Sequence, residues 1–275
     1  MIAQRGADAD LLAKLGRTYS DRNDDAEAEA AYTKALALQP DKVDVLVWRS
    51  ITYSHRQQYD AAMADLNHAV EVSPKDDEAH MWRAENELYL GAFDRAMDDM
   101  KVVFVDRPDN IFYRFRGVAS YLRGDFGQAE SDFLRDIRHD RGFAYLTVWR
   151  FFAEQRAGGG DSAALASAAD GLHGLWPAPL LKFALGQATA DEVLAATASP
   201  HPKLQRVRES QAHCIIGEAL MINGDRDAAK AHFLASAAIG SIADAEEVYA
   251  HRATATPDTI VEFIVARQRL RELGP

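Results

Sequence analysis

A constant step of 34 residues, from 40 to 74 to 108, constrains the fold of this 275-residue chain more than any other feature. Two residue types recur at that step: Ala28, Ala62 and Ala96, and Pro40, Pro74 and Pro108. Proline cannot continue a helix and biases the preceding residue away from helical geometry, so each proline predicts the end of a helix. Three copies in register therefore predict a tandem repeat, whose units bury their apolar faces against their neighbours.

The first repeat, residues 9–40, is predicted to be a hairpin of two helices, helix A and helix B. Gly16 and Ala28 are small where the helices would cross, and Tyr19 and Tyr32 would fill the space beside the crossing. This order of residues resembles the tetratricopeptide repeat family. The resemblance implies an all-α fold, a right-handed superhelical array of helical hairpins. In that family the A helices line a concave groove that binds peptide or protein segments.

The repeat pattern divides the chain into three predicted parts. Residues 1–141 are expected to form four tetratricopeptide-like hairpins, with the first A helix near residues 8–21. The period then fails, and residues 142–200 are predicted to be an irregular, degenerate helical insert. Residues 201–275 resume the pattern as one late hairpin with a C-terminal capping helix, because the last repeat of such an array needs a cover.

Local signals mark the helix boundaries in the second half of the chain. Three glycines, Gly158 to Gly160, break a helix, and Asp161 or Ser162 is predicted to cap the next one. No Lys-Ser/Thr follows these glycines and no strand precedes them, which argues against a phosphate-binding loop. Thr256 as N-cap and Pro257 at the first position are predicted to begin the final helix.

Charged residues also recur in the repeats. Each of three arginines stands 16 residues before an aspartate: Arg49 and Asp65, Arg83 and Asp99, Arg116 and Asp132. The first repeat and the late hairpin lack both partners together, with Leu15 and Ala31, and Ile216 and His232, at these positions. Joint presence and joint absence predict contact between helices A and B. A partly buried arginine without its partner would be costly, so a structural pair is favoured over a ligand contact.

Composition and motifs exclude several classes of function. The net charge of −11 argues against general nucleic-acid binding, which depends on neutralising phosphates. No apolar run reaches the ~18 residues of a membrane span. Cys214 is the only cysteine, so no internal disulfide can form, and its apolar neighbours predict a buried thiol. No zinc, calcium, nucleotide or nucleophile motif is present, so no catalytic, cofactor or metal residue is assigned. Without a signal segment the chain is expected to be cytoplasmic, or periplasmic if a leader was removed.

The family's groove positions give a candidate peptide site. The predicted groove residues are Asp10, Ala13, Arg17, Asp44, Val47, Ile51, His55, Glu78, Met81, Glu85, Tyr89, Arg114 and Tyr121. Three of them, Asp10, Asp44 and Glu78, would form an acidic row beside an apolar strip, which predicts a basic-amphipathic ligand. The alternative is local: acids in the first turn of a helix favour the positive end of its dipole.

These observations favour a non-catalytic adaptor that binds a peptide or protein segment in the groove. The alternative is a structural homo-oligomeric scaffold assembled through the repeat array, and a third hypothesis is an enzyme in the insert.

Residues 76–239 also resemble bacterial NlpI-like tetratricopeptide proteins, through segments such as YLTVWRFFAEQRAG and WPAPLLKFALGQATADEVL. That resemblance implies an interaction scaffold, often a dimer, for envelope proteases and peptidoglycan hydrolases. This chain lacks that group's lipobox cysteine and has an apparent insertion at residues 240–256.

Overall fold

The computed structural model describes residues 2–106, 112–139, 144–239 and 259–274, and within those ranges the chain forms fifteen helices and no strand. The all-α prediction is therefore confirmed. The chain divides into two compact units, Met1–Pro108 and Asp109–Pro275. The predicted division into four hairpins, an insert and a late hairpin with its cap stays a prediction.

The first unit consists of three hairpins in which each helix packs against the next. Its helices are α1 (Ile2–Ser20), α2 (Asp25–Leu38), α3 (Val43–His55), α4 (Tyr59–Val72), α5 (Asp77–Leu90) and α6 (Phe93–Asp106). Between hairpins, α2 packs against α3 and α4 against α5. The apolar core of the first two hairpins includes Tyr32, Leu46 and Leu66.

Helices B end where the prolines predict. Helix α2 stops at Leu38, and Gln39, just before Pro40, has φ −136° and ψ 86°. Ser73, just before Pro74, has nearly the same geometry, with φ −132° and ψ 85°.

The predicted start of the first A helix was wrong, because α1 begins at Ile2 and not near residue 8. Asp10 consequently lies in the middle of a helix.

Three hairpins share one close helix crossing. A Cβ atom built on the glycine of helix A would lie 2.4 to 2.9 Å from the nearest ring carbon of helix B: Gly16 with Tyr32, Gly117 with Phe133, and Gly217 with Phe233. Real Cβ atoms essentially never come so close to another atom, so glycine is required at each crossing. The predicted role of Gly16 is thereby confirmed, and the late hairpin repeats it.

The second unit contains nine described helices. They are α7 (Phe112–Arg123), α8 (Phe126–His139), α9 (Ala144–Arg156), α10 (Ser162–Gly171), α11 (Ala178–Ala184), α12 (Ala190–Ala195), α13 (Pro202–Ile222), α14 (Arg226–Ile239) and α15 (Thr259–Leu273). Helices α13 and α14 form the late hairpin, and α15 packs against both. Asp161 caps α10 by accepting hydrogen bonds from the backbone of Ala163 and Ala164, as predicted. The predicted cap at Thr256 and Pro257 lies outside the described residues.

A buried carboxylate, Glu218, holds four helices of the second unit together. Its oxygens accept hydrogen bonds from the Tyr121 hydroxyl at 2.7 Å, from Arg156 Nη2 at 2.8 Å and from Arg269 Nε and Nη2 at 2.8 and 2.9 Å. The three partners lie on α7, α9 and α15 respectively. Glu218 lies on α13 and is fully buried. Helix α15 is therefore fastened to the rest of the unit by a charge pair as well as by apolar packing.

Candidate functional site

The three predicted arginine–aspartate pairs are present, and each joins helix A to helix B of one hairpin. Arg49 Nε and Nη2 donate to the two carboxylate oxygens of Asp65 at 2.8 and 2.7 Å. Arg83 contacts Asp99 at 2.7 and 2.6 Å, and Arg116 contacts Asp132 at 2.8 and 2.7 Å, through the same atoms. Each pair is bidentate and each aspartate is buried. The predicted contact between helices A and B is confirmed for all three pairs.

Two of these arginines also reach the preceding hairpin. Arg49 Nη1 donates to Thr33 Oγ1 at 3.1 Å, and Arg83 Nη1 donates to Asn67 Oδ1 at 3.2 Å. Thr33 and Asn67 lie on the helix B that precedes each arginine. One guanidinium therefore braces its own hairpin and also sets the stacking of that hairpin on its neighbour.

The late hairpin has a different polar pair between its helices A and B, and only His232 of this pair stands at an equivalent position. His213 Nδ1 lies 2.9 Å from His232 Nδ1, and the two rings lie on α13 and α14. Burial lowers the pKa of both imidazoles, and for His213 the neighbouring His232 lowers it further. The two rings therefore share one hydrogen bond in their neutral form. His232 takes the position of Asp65, Asp99 and Asp132, so the sequence showed the substitution but not its new partner.

A pocket of about 200 Å³ opens on the first unit at the helix A side. It is lined by three predicted groove residues and four others: Arg17, Ile51 and Glu78, then Ser20, Asp21, Tyr32 and Trp48. The Arg17 guanidinium carbon lies 4.8 Å from the centre of the Trp48 ring, a cation–π contact that forms one wall. Two carboxylates and one guanidinium thus surround an aromatic and aliphatic surface.

The predicted acidic row is partly neutralised by the chain itself. Lys42 Nζ lies 3.0 Å from Asp10 Oδ1 and 3.4 Å from Asp44 Oδ2. The hydrogen bond to Asp10 raises the pKa of Lys42, although burial acts in the opposite direction. Of the three acids, only Glu78 lines the pocket. The helix-dipole explanation applies to Asp44 and Glu78, which lie in first turns, but not to Asp10 in the middle of α1.

The remaining predicted groove residues differ in exposure. Six are buried: Ala13, Val47, Glu85, Tyr89, Arg114 and Tyr121. Their side chains lie within the helix packing. For example, the Tyr89 hydroxyl donates to Glu85 Oε1 at 2.8 Å, and Arg114 Nε donates to Asp136 at 2.9 Å. His55 and Met81 are half-buried, and Asp10, Arg17, Asp44 and Glu78 are exposed. The groove as a contact surface stays a prediction.

Sequence reasoning missed Trp48 and Tyr32 as pocket residues, and it missed Lys42 as the partner of Asp10 and Asp44. A signal existed for Trp48, which precedes Arg49 in helix A and is the only tryptophan in the first two repeats. The sequence analysis assigned Tyr32 to the helix crossing alone. In the structure one edge of its ring contacts Gly16 at that crossing, and the side chain also lines the pocket. Lys42 gave no such signal, since it stands between two hairpins.

Two other features are absent from the described residues. Those residues contain no group of three or more His, Cys, Asp or Glu side chains that could hold a metal ion. Among the described helices, none is both long enough and apolar enough to cross a membrane.

Comparison with known proteins identifies the repeat. A family model described as tetratricopeptide repeat matches residues 9–42 and 43–76. These two matches are contiguous and cover the first two hairpins, including the pocket residues Arg17 and Trp48. A search of the curated proteins finds no match.

Solved structures with a similar fold extend over nearly the whole chain. PilF of Pseudomonas aeruginosa is 12% identical, with a TM-score of 0.53 and coverage of 94% of this chain and 96% of that one. A tetratricopeptide repeat protein from Parabacteroides merdae is 14% identical, with a TM-score of 0.52 and coverage of 95% and 100%. The type IV pilus biogenesis factor PilW is 15% identical, with a TM-score of 0.50 and coverage of 92% and 96%. Identities this low establish a shared fold only.

Proposed function

The chain is a tetratricopeptide repeat protein, and from that premise we propose that it acts as a non-catalytic adaptor that binds a peptide or protein segment on the helix A side of its first unit. The observation that carries the proposal is the pocket between Arg17, Trp48 and Glu78. It combines an apolar surface with a few converging polar groups, the arrangement typical of sites that bind a ligand side chain.

The proposed ligand is a basic-amphipathic segment. Trp48 and Ile51 offer apolar surface to the stem of a lysine or arginine, and the carboxylates of Asp21 and Glu78 would face its cationic end. Lys42 already forms ion pairs with Asp10 and Asp44. The electrostatic attraction for the cationic ligand therefore comes mainly from Glu78 and not from a row of three acids. Exposed charges of this kind are screened by salt, so binding should weaken as ionic strength rises.

The test begins by selecting ligands without assuming their identity. A random peptide library displayed on phage is panned against the purified full-length chain, and the selected peptide is synthesised. Its affinity is then measured by isothermal titration for the wild type, for Glu78→Lys and for Glu71→Lys. Glu71 is an exposed acid on α4 that does not line the pocket, so it provides a matched control for net charge.

We expect the selected peptides to carry Lys or Arg among hydrophobic residues. Glu78→Lys should weaken binding by roughly tenfold, which corresponds to ~1.4 kcal/mol for replacing an attraction by a repulsion, whereas Glu71→Lys should have little effect. Selection of acidic peptides, or of peptides whose affinity is unchanged by Glu78→Lys, would contradict the proposal.

A further inference from the structure

Two histidine nitrogens meet between the helices of the late hairpin. His213 on α13 and His232 on α14 place their Nδ1 atoms 2.9 Å apart, and their ring centres lie 5.1 Å apart. Both side chains are half-buried and therefore keep contact with solvent. Histidine is the commonest metal ligand in proteins, so this pair has a possible chemistry beyond its single hydrogen bond.

The separation of the two Nδ1 atoms fits one kind of coordination geometry. Two nitrogens that bind one ion at about 2.05 Å and at right angles lie ~2.9 Å apart, which is the observed distance. The tetrahedral angle typical of Zn²⁺ would separate them by ~3.3 Å. Right angles between ligands occur in the square-planar and tetragonal sites of Cu²⁺ and Ni²⁺, which imidazole binds well. The distance therefore favours these two ions over Zn²⁺.

The surroundings of the histidine pair suit a cation. Neutral imidazole is the form that binds metal ions, and it is the form of both rings at neutral pH. Glu209 is half-buried and stands four residues before His213, one turn earlier on α13. Its charge acts to raise the pKa of His213, against the effect of burial. A carboxylate that favours a proton on this ring also favours a metal ion beside it.

From this geometry we propose that His213 and His232 together bind one divalent transition-metal ion, Cu²⁺ or Ni²⁺, which joins α13 to α14. The shared proton moves to Nε2 of its own ring, so both Nδ1 atoms donate their lone pairs to the ion and no proton is released. Water completes the coordination, because no described residue extends the pair to a group of three His, Cys, Asp or Glu ligands. The ion links helices A and B in the one hairpin where Ile216 and His232 replace an arginine–aspartate pair. The site lies in the second unit and does not depend on the proposed peptide pocket of the first.

Isothermal titration of Ni²⁺ into the full chain tests the proposal, with no histidine tag present because a tag would bind the ion itself. His213→Gln and His232→Gln should each weaken the binding by roughly tenfold or more, since loss of even an outer partner of a metal ligand costs about 10–100-fold. Glutamine keeps a hydrogen-bonding group at each position, and circular dichroism checks that both variants remain folded. The matched control is His201→Gln, an exposed histidine at the start of α13, which should leave the affinity unchanged.

Two further measurements separate a metal site from a histidine pair that only braces the hairpin. Electron paramagnetic resonance of the chain with one equivalent of Cu²⁺ should show coupling to two nitrogens in the wild type and to fewer in either variant. Ni²⁺ at ~100-fold above its dissociation constant should raise the Tm of the second unit by about 5–10 °C. Mg²⁺ at the same concentration should not, because it prefers oxygen ligands.

Three outcomes would count against the metal site. A wild type that binds no Ni²⁺ overturns the proposal, and so does binding that both glutamine variants retain at full strength. Tighter binding of Zn²⁺ than of Cu²⁺ and Ni²⁺ overturns the right-angled geometry assigned to His213 and His232.

Discussion

Glu218 offers the sharpest test of how the second unit is held together. Replacing it with glutamine keeps the shape of the side chain and removes its charge. Burial alone would raise the pKa of this carboxyl, but the charge and hydrogen bonds of Arg269, with the Tyr121 hydroxyl and Arg156, lower it below its ordinary value. The wild-type carboxylate is therefore ionised at neutral pH, and the variant leaves a buried guanidinium facing a neutral amide.

The structure sets the expected loss of stability. Removing one partner of a buried ion pair costs ~3–5 kcal/mol, because the other charge stays buried without compensation. Arg269 keeps one counter-charge, since its Nη1 donates to the exposed Glu272 at 2.7 Å. We therefore expect the lower end of that range, ~3 kcal/mol in the free energy of unfolding. For a chain of this size that corresponds to a decrease in Tm of about 6–12 °C.

The loss of stability in Glu218→Gln is measured by urea unfolding at neutral pH. Unfolding is followed by circular dichroism and by hydrogen exchange of the amides of α15. Because the chain has two units, the two probes must be analysed separately. Glu272→Gln removes a more exposed partner of the same arginine and serves as the control, with an expected loss of at most about 1 kcal/mol. If Glu218→Gln costs no more than this control, the reasoning that Glu218 fastens α15 is refuted.

Two further predictions concern pH. Glu262 is fully buried, and its carboxyl oxygens have no hydrogen-bond partner on any other described residue. Burial raises its pKa well above the ordinary value. The folded chain must hold a proton that the unfolded chain releases, so wild-type stability should fall as pH rises above about 4.5, and Glu262→Gln should remove this decrease in urea unfolding. The lowered pKa values of His213 and His232 act in the opposite sense. The imidazoles bind protons more readily in the unfolded chain, so stability should fall as pH drops below about 6.5. In a variant with glutamine at both positions, Tm should fall less steeply with decreasing pH. An unchanged pH dependence of Tm would contradict the role given to the two histidines.

The sequence by itself determined the hairpins and the pairs within them. Gly16, Arg83 and Asp99 could be assigned because each has equivalents at the same place in other repeats, so the chain gives the same evidence several times. Both partners of each arginine–aspartate pair lie in one hairpin, 16 residues apart, and local helix geometry is enough to bring them together. Helix ends at Pro40 and Pro74 follow from local sterics in the same way.

Only the tertiary structure decided which of the predicted groove residues reach a surface. Tyr89 and Val47 occupy groove positions in the repeat but are covered by the stacking of neighbouring helices, whereas Arg17 and Glu78 remain accessible beside Trp48. Exposure depends on every helix that packs nearby, and no single repeat contains that information.

Contacts between non-equivalent positions were also decided by the tertiary structure alone. Lys42 neutralises Asp10 from between two hairpins, and Glu218 joins Tyr121 and Arg269, residues 97 and 51 positions away. Each of these contacts occurs only once in the chain, so no repeated sequence pattern predicts it. The role of Lys42 or Glu218 becomes clear only in the packed structure, which shows the opposite charge that lies beside it.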